Sequence, residues 1–157
     1  MTCYSPVGYC DQTNCEITGY CAWPKDTVKL LNVYSTNEKS ILYKLLGERT
    51  KDQSISHKEM PTMEQHIKFV DSCPYNYWYL IMVEDVVGSV YLTYQNEIGI
   101  SVLKEHRGNG YATQAIKKLM EKHPCQFLAN INPKNKASIK LFEKLGFKKL
   151  QVTYVKS

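Results

Sequence analysis

The stretch that most limits how this chain can fold is a glycine-rich loop at residues 107–112. It reads Arg-Gly-Asn-Gly-Tyr-Ala and lies between a predicted strand at residues 97–103 and a predicted amphipathic helix at residues 109–122. Glycines allow the backbone to approach a ligand with its N–H groups turned outward, and the helix N-terminus adds a partial positive charge. The loop therefore predicts a diphosphate-binding turn, with a turn that serves only strand–helix packing as the alternative.

Two familiar phosphate-binding loops do not fit this stretch. A dinucleotide-binding fingerprint needs a third glycine where Thr113 stands, and an acidic residue about 20 positions further on, where residues 128–130 read Leu-Ala-Asn. A Walker A loop needs Gly-Lys-Ser or Gly-Lys-Thr, whereas Gly110 is followed by Tyr111. Neither of these two nucleotide-binding classes is predicted.

The hydrophobic pattern of the whole chain predicts an α/β protein in which antiparallel strands precede one parallel crossover. Strands are expected at residues 28–33, 77–83, 86–94, 97–103, 126–131 and 147–155. Helices are expected at about residues 36–46, 109–122 and 134–145, and a further short helix should follow a capping box at Thr62 and Gln65. This short helix is expected to bury Met63, Ile67 and Val70.

Length and composition predict one globular domain. A chain of 157 residues matches the usual size of one domain, and 43% hydrophobic with 22% charged residues is the ordinary globular range. No apolar run reaches the 18 residues or so of a membrane span, and the first residues lack the pattern of a secretory signal. We therefore expect a cytoplasmic protein with no membrane partner.

Charge is distributed unevenly along the chain. Residues 1–103 carry 8 basic and 12 acidic side chains, whereas residues 104–149 carry 11 basic and 3 acidic ones. Such a basic stretch favours a polyanionic partner, either nucleic acid or a phosphate-bearing cofactor, although lysines that only keep a helix soluble are the alternative. A pI of 8.8 and the lack of interleaved aromatic residues count against nucleic acid, which is not expected as a partner.

Four of the six cysteines, Cys3, Cys10, Cys15 and Cys21, lie in the first 24 residues. Their spacing contains no Cys-x-x-Cys knuckle and no histidine lies nearby, so no metal site is predicted. Free thiols are expected in a reducing compartment, with disulfides as the alternative. We interpret residues 1–24 as a cysteine-rich N-terminal arm and residues 25–157 as the domain proper.

The loop and two later blocks carry a resemblance to a known family. The Arg-x-x-Gly-x-Ala pattern after a strand resembles the acetyl-CoA pyrophosphate loop of the GNAT N-acetyltransferase superfamily. Residues 132–138 (NPKNKAS) and 141–147 (LFEKLGF) are similar to the superfamily's second block. Residues 97–101 (EIGIS), with Gly-Tyr-Ala-Thr in the loop, are closest to the RimJ/RimL-like branch, which contains ribosomal-protein and amino-sugar acetyltransferases. The match covers about residues 97–147.

This resemblance implies a GNAT fold, an α/β architecture with a mixed, mostly antiparallel central sheet flanked by about four helices. The sheet should be splayed at the cofactor site, where the strand ending at Leu103 parts from residues 126–131. Backbone groups of Ser101, Val102 and Leu103 would bind the pantetheine arm, with the Val102 or Leu103 N–H polarising the thioester carbonyl. The other implied cofactor-binding residues are Arg107, Gly108, Asn109, Gly110, Tyr111, Ala112, Asn135, Ser138 and Phe142.

The implied activity is an acetyl-CoA-dependent N-acetyltransferase that transfers an acetyl group directly to a primary amine, without a metal. Glu97 is the expected catalytic base, and a surface carboxylate is the alternative interpretation. His57 and His66 are second choices as bases, each with a merely solvated histidine as the alternative, and His106 is expected to be structural or cofactor-adjacent. The alternative function is a catalytically weak acyl-CoA-binding module.

Two positions depart from the family pattern. Many relatives have a tyrosine where Phe142 stands, and this tyrosine protonates the departing thiolate. Phenylalanine has no such proton to give, so the general acid is left unassigned. Relatives also usually end in two antiparallel strands, whereas about ten residues follow Gly146. The second strand is expected to be absent, or replaced by the N-terminal arm or by the neighbouring subunit of a homodimer.

Overall fold

The computed structural model describes residues 3–5, 8–10, 27–50, 59–154 and 156. The strands are β1 (Cys3–Ser5), β2 (Gly8–Cys10), β3 (Lys29–Asn32), β4 (Tyr77–Met82), β5 (Val86–Leu92) and β6 (Ile98–Val102). The helices are α1 (Ser40–Gly47), α2 (Met63–Asp71), α3 (Tyr111–Lys122) and α4 (Lys136–Lys144). Single 3-10 turns occupy Val33–Ser35 and Lys104–His106.

The central sheet has four antiparallel strands in the order β3-β4-β5-β6, and β1 and β2 form a separate two-stranded antiparallel sheet. Residues 126–131, predicted as a further strand, form no regular strand. They meet the sheet in one parallel bridge between Glu97 and Leu128, where the Ile98 N–H donates to the Leu128 carbonyl at 2.8 Å. The strand prediction for residues 126–131 is therefore wrong, whereas the expected splaying of the sheet beyond β6 is confirmed.

Helices cover both faces of the sheet, because side chains alternate along each strand. One core joins α3 and α4 to residues such as Ile81, Val90 and Ile98, and the other joins α1 and α2 to residues such as Leu80 and Leu103. The α/β prediction with four helices and a mostly antiparallel open sheet is confirmed. Successive residues of β6 thus face opposite helical layers.

The short helix α2 begins where the sequence predicts but buries a different face. The Thr62 and Gln65 capping box is present in both directions. Met63 and Ile67, however, are 41% and 40% exposed, and the buried residues are His66 and Val70. The predicted burial of Met63 and Ile67 is wrong, because the inward stripe of this helix follows the i, i+4 spacing of His66 and Val70.

The chain after α4 does not return to the sheet within the described residues. Gly146 has the left-handed φ of +89° expected of a glycine just past a helix C-terminus. Residues 147–154 form no strand, and Leu150 and Tyr154 are exposed. The prediction of a final strand at 147–155 is therefore wrong over residues 147–154, and its replacement by the arm or by a second subunit stays a prediction, as do the arm and domain boundaries.

Candidate functional site

Beyond residue 98, the N–H and C=O groups on the outer edge of β6 form no hydrogen bonds to a neighbouring strand among the described residues. In an antiparallel pair, successive residues direct their N–H and C=O groups to alternate sides. The Leu103 N–H donates to the Val87 carbonyl in β5, whereas the Ile98 N–H points outward to Leu128. The alternation therefore directs the N–H groups of Ile100 and Val102 outward, into the gap where the sheet splays.

This register corrects two of the predicted cofactor contacts. The Leu103 N–H is engaged by Val87, so it is not available as the donor that polarises a carbonyl. The backbone of Ser101 faces β5, where Ser101 pairs with Ser89, so its N–H does not reach the open edge. Ile100, whose N–H faces the open edge, is not among the residues predicted from the sequence, because the phase of strand pairing leaves no trace there.

The glycine-rich loop leads from this edge into α3 with both glycines in the left-handed region. Gly108 has φ +82° and Gly110 has φ +77°, values that a residue with a side chain rarely adopts. The Asn109 side-chain amide donates to the His106 carbonyl at 3.0 Å and closes the turn. Gly110 is the N-cap of α3 and offers no side-chain cap, so the first N–H groups of the helix, from Tyr111 and Ala112 onward, remain unpaired within the helix.

Arg107 connects the loop to the end of β6. Its Nε–H donates to the Val102 carbonyl at 2.9 Å, while the residue as a whole is exposed. Lys104 is also exposed on the same turn. The open edge, the glycine turn and two cationic side chains therefore lie together at one corner of the molecule.

The predicted residues of α4 have local structural roles. Asn135 is the N-cap of α4, and its Oδ1 accepts a hydrogen bond from the Ser138 N–H at 3.1 Å. Phe142 is 4% exposed and packs edge-on against Phe147 in the α3 and α4 core. The structure thus accounts for Asn135 and Phe142 by capping and packing, and their contacts with a cofactor stay a prediction.

Glu97 stands at the start of β6, where the sheet begins to splay. Its Oε1 accepts a hydrogen bond from the Asn130 side-chain amide at 2.7 Å, and its backbone N–H donates to the Thr93 hydroxyl at 3.0 Å. Since Ile98 faces α3, the alternation of side chains directs Glu97 toward the α1 and α2 face. Glu97 is half-buried, which makes it an oriented carboxylate rather than a freely solvated one.

A second feature, here called the aromatic cavity, lies on the α1 and α2 face of the sheet. It is partly open to solvent and has a volume of about 220 Å³. Its walls combine aliphatic and aromatic side chains with a few polar groups, and the residues that line it are Leu42, Leu45, Leu46, Arg49, Glu59, Pro61, Gln65, His66, Phe69, Tyr75, Trp78, Ser89 and Tyr91. Of these, only His66 is among the candidate residues predicted from the sequence, as a second choice of base.

Two polar aromatic groups distinguish this cavity. His66 is 5% exposed, and its Nε2 has no hydrogen-bond partner. Burial lowers the pKa of His66, while a hydrogen bond to the Lys39 backbone acts in the opposite direction. The Tyr75 ring stacks on Tyr91 with centroids 3.9 Å apart, and burial raises the pKa of its hydroxyl. His66 is therefore buried rather than solvated, contrary to the alternative interpretation.

The structure gives few contacts for the remaining candidate residues, His57 and His106. His57 lies outside the described residues, and His106 is half-buried with its Nε2 3.9 Å from the Glu105 carboxylate. Over the described ranges, no group of three histidine, cysteine or acidic side chains could hold a metal ion. In the same part of the chain, none of the helices is both long and apolar enough to span a bilayer.

The residues at the open edge fit coenzyme A on the geometry of this chain. The unpaired N–H groups at the start of α3, together with Arg107 and Lys104, suit a diphosphate, since a helix N-terminus attracts anions. A Cβ built on Gly108 would meet nothing within 4 Å, so the turn is open to an approaching ligand. The outward N–H groups of Ile100 and Val102 suit the amide carbonyls of a pantetheine arm.

The fold is a splayed α/β sheet whose open edge leads into a glycine turn and a helix N-terminus. The acetyltransferase (GNAT) family model matches residues 32–147, and the chain belongs to this family, whose members use acetyl-CoA. The superfamily resemblance found in the sequence is confirmed.

Solved structures share the fold at low sequence identity. A Methanocaldococcus jannaschii domain superposes with a TM-score of 0.68 at 24% identity, covering 79% of this chain and 90% of its own. An N-acetyltransferase from Staphylococcus aureus Mu50 gives 0.64 at 21% identity, with 77% and 83% covered. The Salmonella typhimurium protein yncA, solved with its cofactor acetyl-CoA, gives 0.60 at 15% identity, with 77% and 78% covered. A search of curated protein sequences finds no significant match.

Proposed function

We propose that this protein is an acetyl-CoA-dependent N-acetyltransferase that transfers the acetyl group directly to a primary amine. The observation that carries the proposal is the register of β6, which leaves the Ile100 and Val102 N–H groups on an open edge leading to the glycine turn. Membership of the RimJ/RimL-like branch and a cytoplasmic location are part of the proposal, on the sequence pattern alone.

The order of groups along this edge suggests a role for each. When bound, acetyl-CoA supplies the thioester that the amine attacks. With the diphosphate at the turn formed by Gly108 and Gly110, the Val102 N–H is the first outward donor along β6 and would hold the arm. The Ile100 N–H comes next and would polarise the thioester carbonyl, where a preorganised donor is typically worth about 3–4 kcal/mol.

We propose Glu97 as the group that receives a proton from the amine. A lysine-type ammonium has a pKa near 10.4, so the nucleophile must lose a proton before it can attack. Glu97 precedes Ile100 by three residues, or roughly 10 Å along an extended strand, so its side chain would act through a water molecule. The hydrogen bond from Asn130 holds the carboxylate in place for this relay.

The departing thiolate receives no proton from Phe142, which has no ionisable group and lies in the core. A thiol pKa near 8.5 makes coenzyme A a fair leaving group without strong acid catalysis. Water or the Tyr111 hydroxyl, at the start of α3, would supply the proton. Direct transfer is favoured over a covalent acyl-enzyme because the described free cysteines, Cys73 and Cys125, are both exposed and lie outside β6 and the glycine turn.

The competing function is a catalytically weak acyl-CoA-binding module, which the substitution of phenylalanine for the usual acid favours. Incubating the protein with acetyl-CoA and a panel of primary amines, followed by mass spectrometry of the amines, separates the two. The proposal predicts an amine that gains one acetyl group at a rate proportional to protein concentration. Binding of acetyl-CoA without any acetylated amine would favour the module, and the absence of binding would contradict both.

A further inference from the structure

The two-stranded sheet of β1 and β2 places two cysteines opposite each other. The strands are antiparallel, and their register pairs Cys3 with Cys10 and Tyr4 with Tyr9. Residues directly opposite in an antiparallel pair have Cα atoms about 4.5 or 5.5 Å apart, depending on whether they exchange hydrogen bonds. A disulfide needs a Cα separation of about 4.4–6.8 Å, so the register of Cys3 and Cys10 meets this requirement in either case.

The register also assigns the two cysteines to one face of this small sheet. Residues directly opposite share a face, because successive residues of a strand alternate between the two faces. Cys3 and Cys10 therefore belong to one face, and Tyr4 and Tyr9, one position along, belong to the other. A slip of either strand by one residue would assign the cysteines to opposite faces, so their pairing is specific to this register.

Separation along the chain does not favour this pair. Cys10 and Cys15 are five residues apart and Cys15 and Cys21 are six, whereas Cys3 and Cys10 are seven apart. The entropy cost of closing a flexible loop grows with its length, so chain statistics alone would not select Cys3 with Cys10. Cys15 and Cys21 lie outside the described residues. The register of β1 and β2 is thus the feature that singles out one pair among the N-terminal cysteines.

A bond between these strands would change how firmly they are held together. Two antiparallel strands by themselves are marginally stable in water, because three or more strands or a covering helix are usually needed. A covalent link between opposite residues restricts the separated state of the strands and so stabilises the paired one. The redox state of the two thiols would therefore control the order of residues 3–10.

From this register we propose that Cys3 and Cys10 are a dithiol pair, which a small disulfide such as oxidised glutathione converts to an intramolecular disulfide. The thiols would be reduced at rest, as expected in a reducing compartment, and would respond when the oxidised form of glutathione accumulates. The proposal does not depend on the acetyltransferase activity proposed above.

The reaction is thiol–disulfide exchange in two steps. The thiolate of one cysteine attacks glutathione disulfide, forms a mixed disulfide and releases one glutathione. The thiolate of the opposite cysteine then attacks the protein sulfur of the mixed disulfide, so that the Cys3–Cys10 bond forms and the second glutathione leaves. Each cysteine gives up one proton and each departing glutathione takes one, and two electrons pass from the cysteines to glutathione disulfide.

The test maps the disulfides that form in the full-length protein in mixtures of reduced and oxidised glutathione. Free thiols are trapped by alkylation, and digestion with chymotrypsin and a protease that cleaves after acidic residues leaves each N-terminal cysteine on its own peptide. The cleavage sites that separate them follow Tyr4, Tyr9, Asp11 and Glu16.

Mass spectrometry is expected to find Cys3 linked to Cys10 at least about tenfold more often than Cys10 linked to Cys15, because the register raises the effective concentration of one thiol at the other. The same incubation in urea is expected to remove this preference, because the strands no longer pair. Equal amounts of several linkages in the native protein, mixed disulfides with glutathione as the only products, or no oxidation at all would overturn the proposal.

Single substitutions locate the bond. Cys15→Ser and Cys21→Ser are the matched controls, and both should keep the Cys3–Cys10 linkage. Cys10→Ser is expected to leave Cys3 as a mixed disulfide with glutathione, since no opposite thiol remains to resolve it. Loss of the Cys3–Cys10 bond in Cys15→Ser would show that the bond depends on Cys15 rather than on the register, and would contradict the proposal.

Amide hydrogen exchange gives a reading that does not depend on peptide mapping. Oxidation should slow exchange within residues 3–10 of the parent protein by at least about tenfold, because the bond keeps β1 and β2 paired. Exchange in Cys10→Ser should not respond to oxidised glutathione. Unchanged exchange in a parent protein that carries the bond would contradict the proposed effect on the order of this segment.

Discussion

The two sides of β6 differ in how they are built and in how visible they are in the sequence. On the outer edge, main-chain N–H groups of Ile100 and Val102, with the turn around Gly108 and Gly110, form the proposed cofactor site. On the α1 and α2 face, the aromatic cavity is built almost wholly from side chains of four separate elements. The first site depends on backbone geometry and the second on tertiary packing.

The two sides of β6 therefore differ in how freely their residues can be substituted. A site made of backbone groups needs glycines and the start of a helix in a fixed order, so it leaves a recognisable pattern in the sequence. A site made of side chains can be altered one residue at a time, so the same cofactor corner can serve different acceptors. We therefore expect substitutions on the two sides of β6 to affect separate quantities.

The largest expected effect is on turnover. Glu97→Gln keeps the shape of the side chain and an oxygen for Asn130 but removes the proton acceptor. General-base catalysis typically contributes 10²–10⁴-fold, so kcat should fall by roughly that factor while acetyl-CoA affinity is unchanged. Steady-state kinetics with the best amine measures it, and Asn130→Ala should cost less because the carboxylate remains. A kcat within about twofold of the parent would remove Glu97 from the mechanism.

Stability provides a second comparison across the sheet. Leu80 and Ile116 are both fully buried, Leu80 on the α1 and α2 face and Ile116 on the α3 face. Leu80→Ala and Ile116→Ala should each lower the free energy of unfolding by about 2–5 kcal/mol, measured by urea denaturation. If either cost less than about 1 kcal/mol, the corresponding core would not be packed as described.

Gly110→Val tests the outer edge alone. A β-branched residue at φ +77° is strained by about 1–3 kcal/mol, so the turn would change its backbone conformation. Acetyl-CoA binding should weaken by roughly tenfold or more, because this turn is the proposed site of the diphosphate. Calorimetric titration with acetyl-CoA measures the change, and an unchanged affinity in the folded variant would contradict the proposed role of the turn.

The smallest expected effect is on the pH dependence of stability. Burial lowers the pKa of His66 below its usual 6.5, so the unfolded chain binds this proton more readily than the folded one. The histidine's contribution therefore decreases the free energy of unfolding as pH falls from about 6.5 toward the lowered pKa. Urea denaturation between about pH 7 and 5 should show a shallower loss in His66→Phe, and an identical slope would contradict the assignment.

The sequence predicted the glycine turn better than the aromatic cavity, for physical reasons. The positions of α3 and the glycine turn follow from local rules that apply within about ten residues. The choice of Ile100 over Leu103 depends on the hydrogen-bonding phase with β5, which neighbouring strands determine. Residues 126–131 have a strand-like pattern but form a single bridge, because the splayed sheet offers them no continuous partner.

The aromatic cavity is a second feature that local sequence patterns do not predict. The pattern of α2 suggested Met63 and Ile67 as its buried face, since apolar side chains are the usual inward residues. Packing against Tyr43, whose ring centroid lies 5.4 Å from that of His66, instead turns the histidine inward. The choice of face rests on a contact between two helices, α1 and α2, that no local pattern encodes.

We propose that backbone amides of β6 and the α3 turn hold coenzyme A. Amide NMR of the full-length protein, titrated with acetyl-CoA, tests it residue by residue. We expect the largest shifts at the N–H signals of Ile100, Val102, Gly108 and Gly110, with small changes in α1 and α2. Shifts confined to the aromatic cavity, or no shift at saturating acetyl-CoA, would contradict the account.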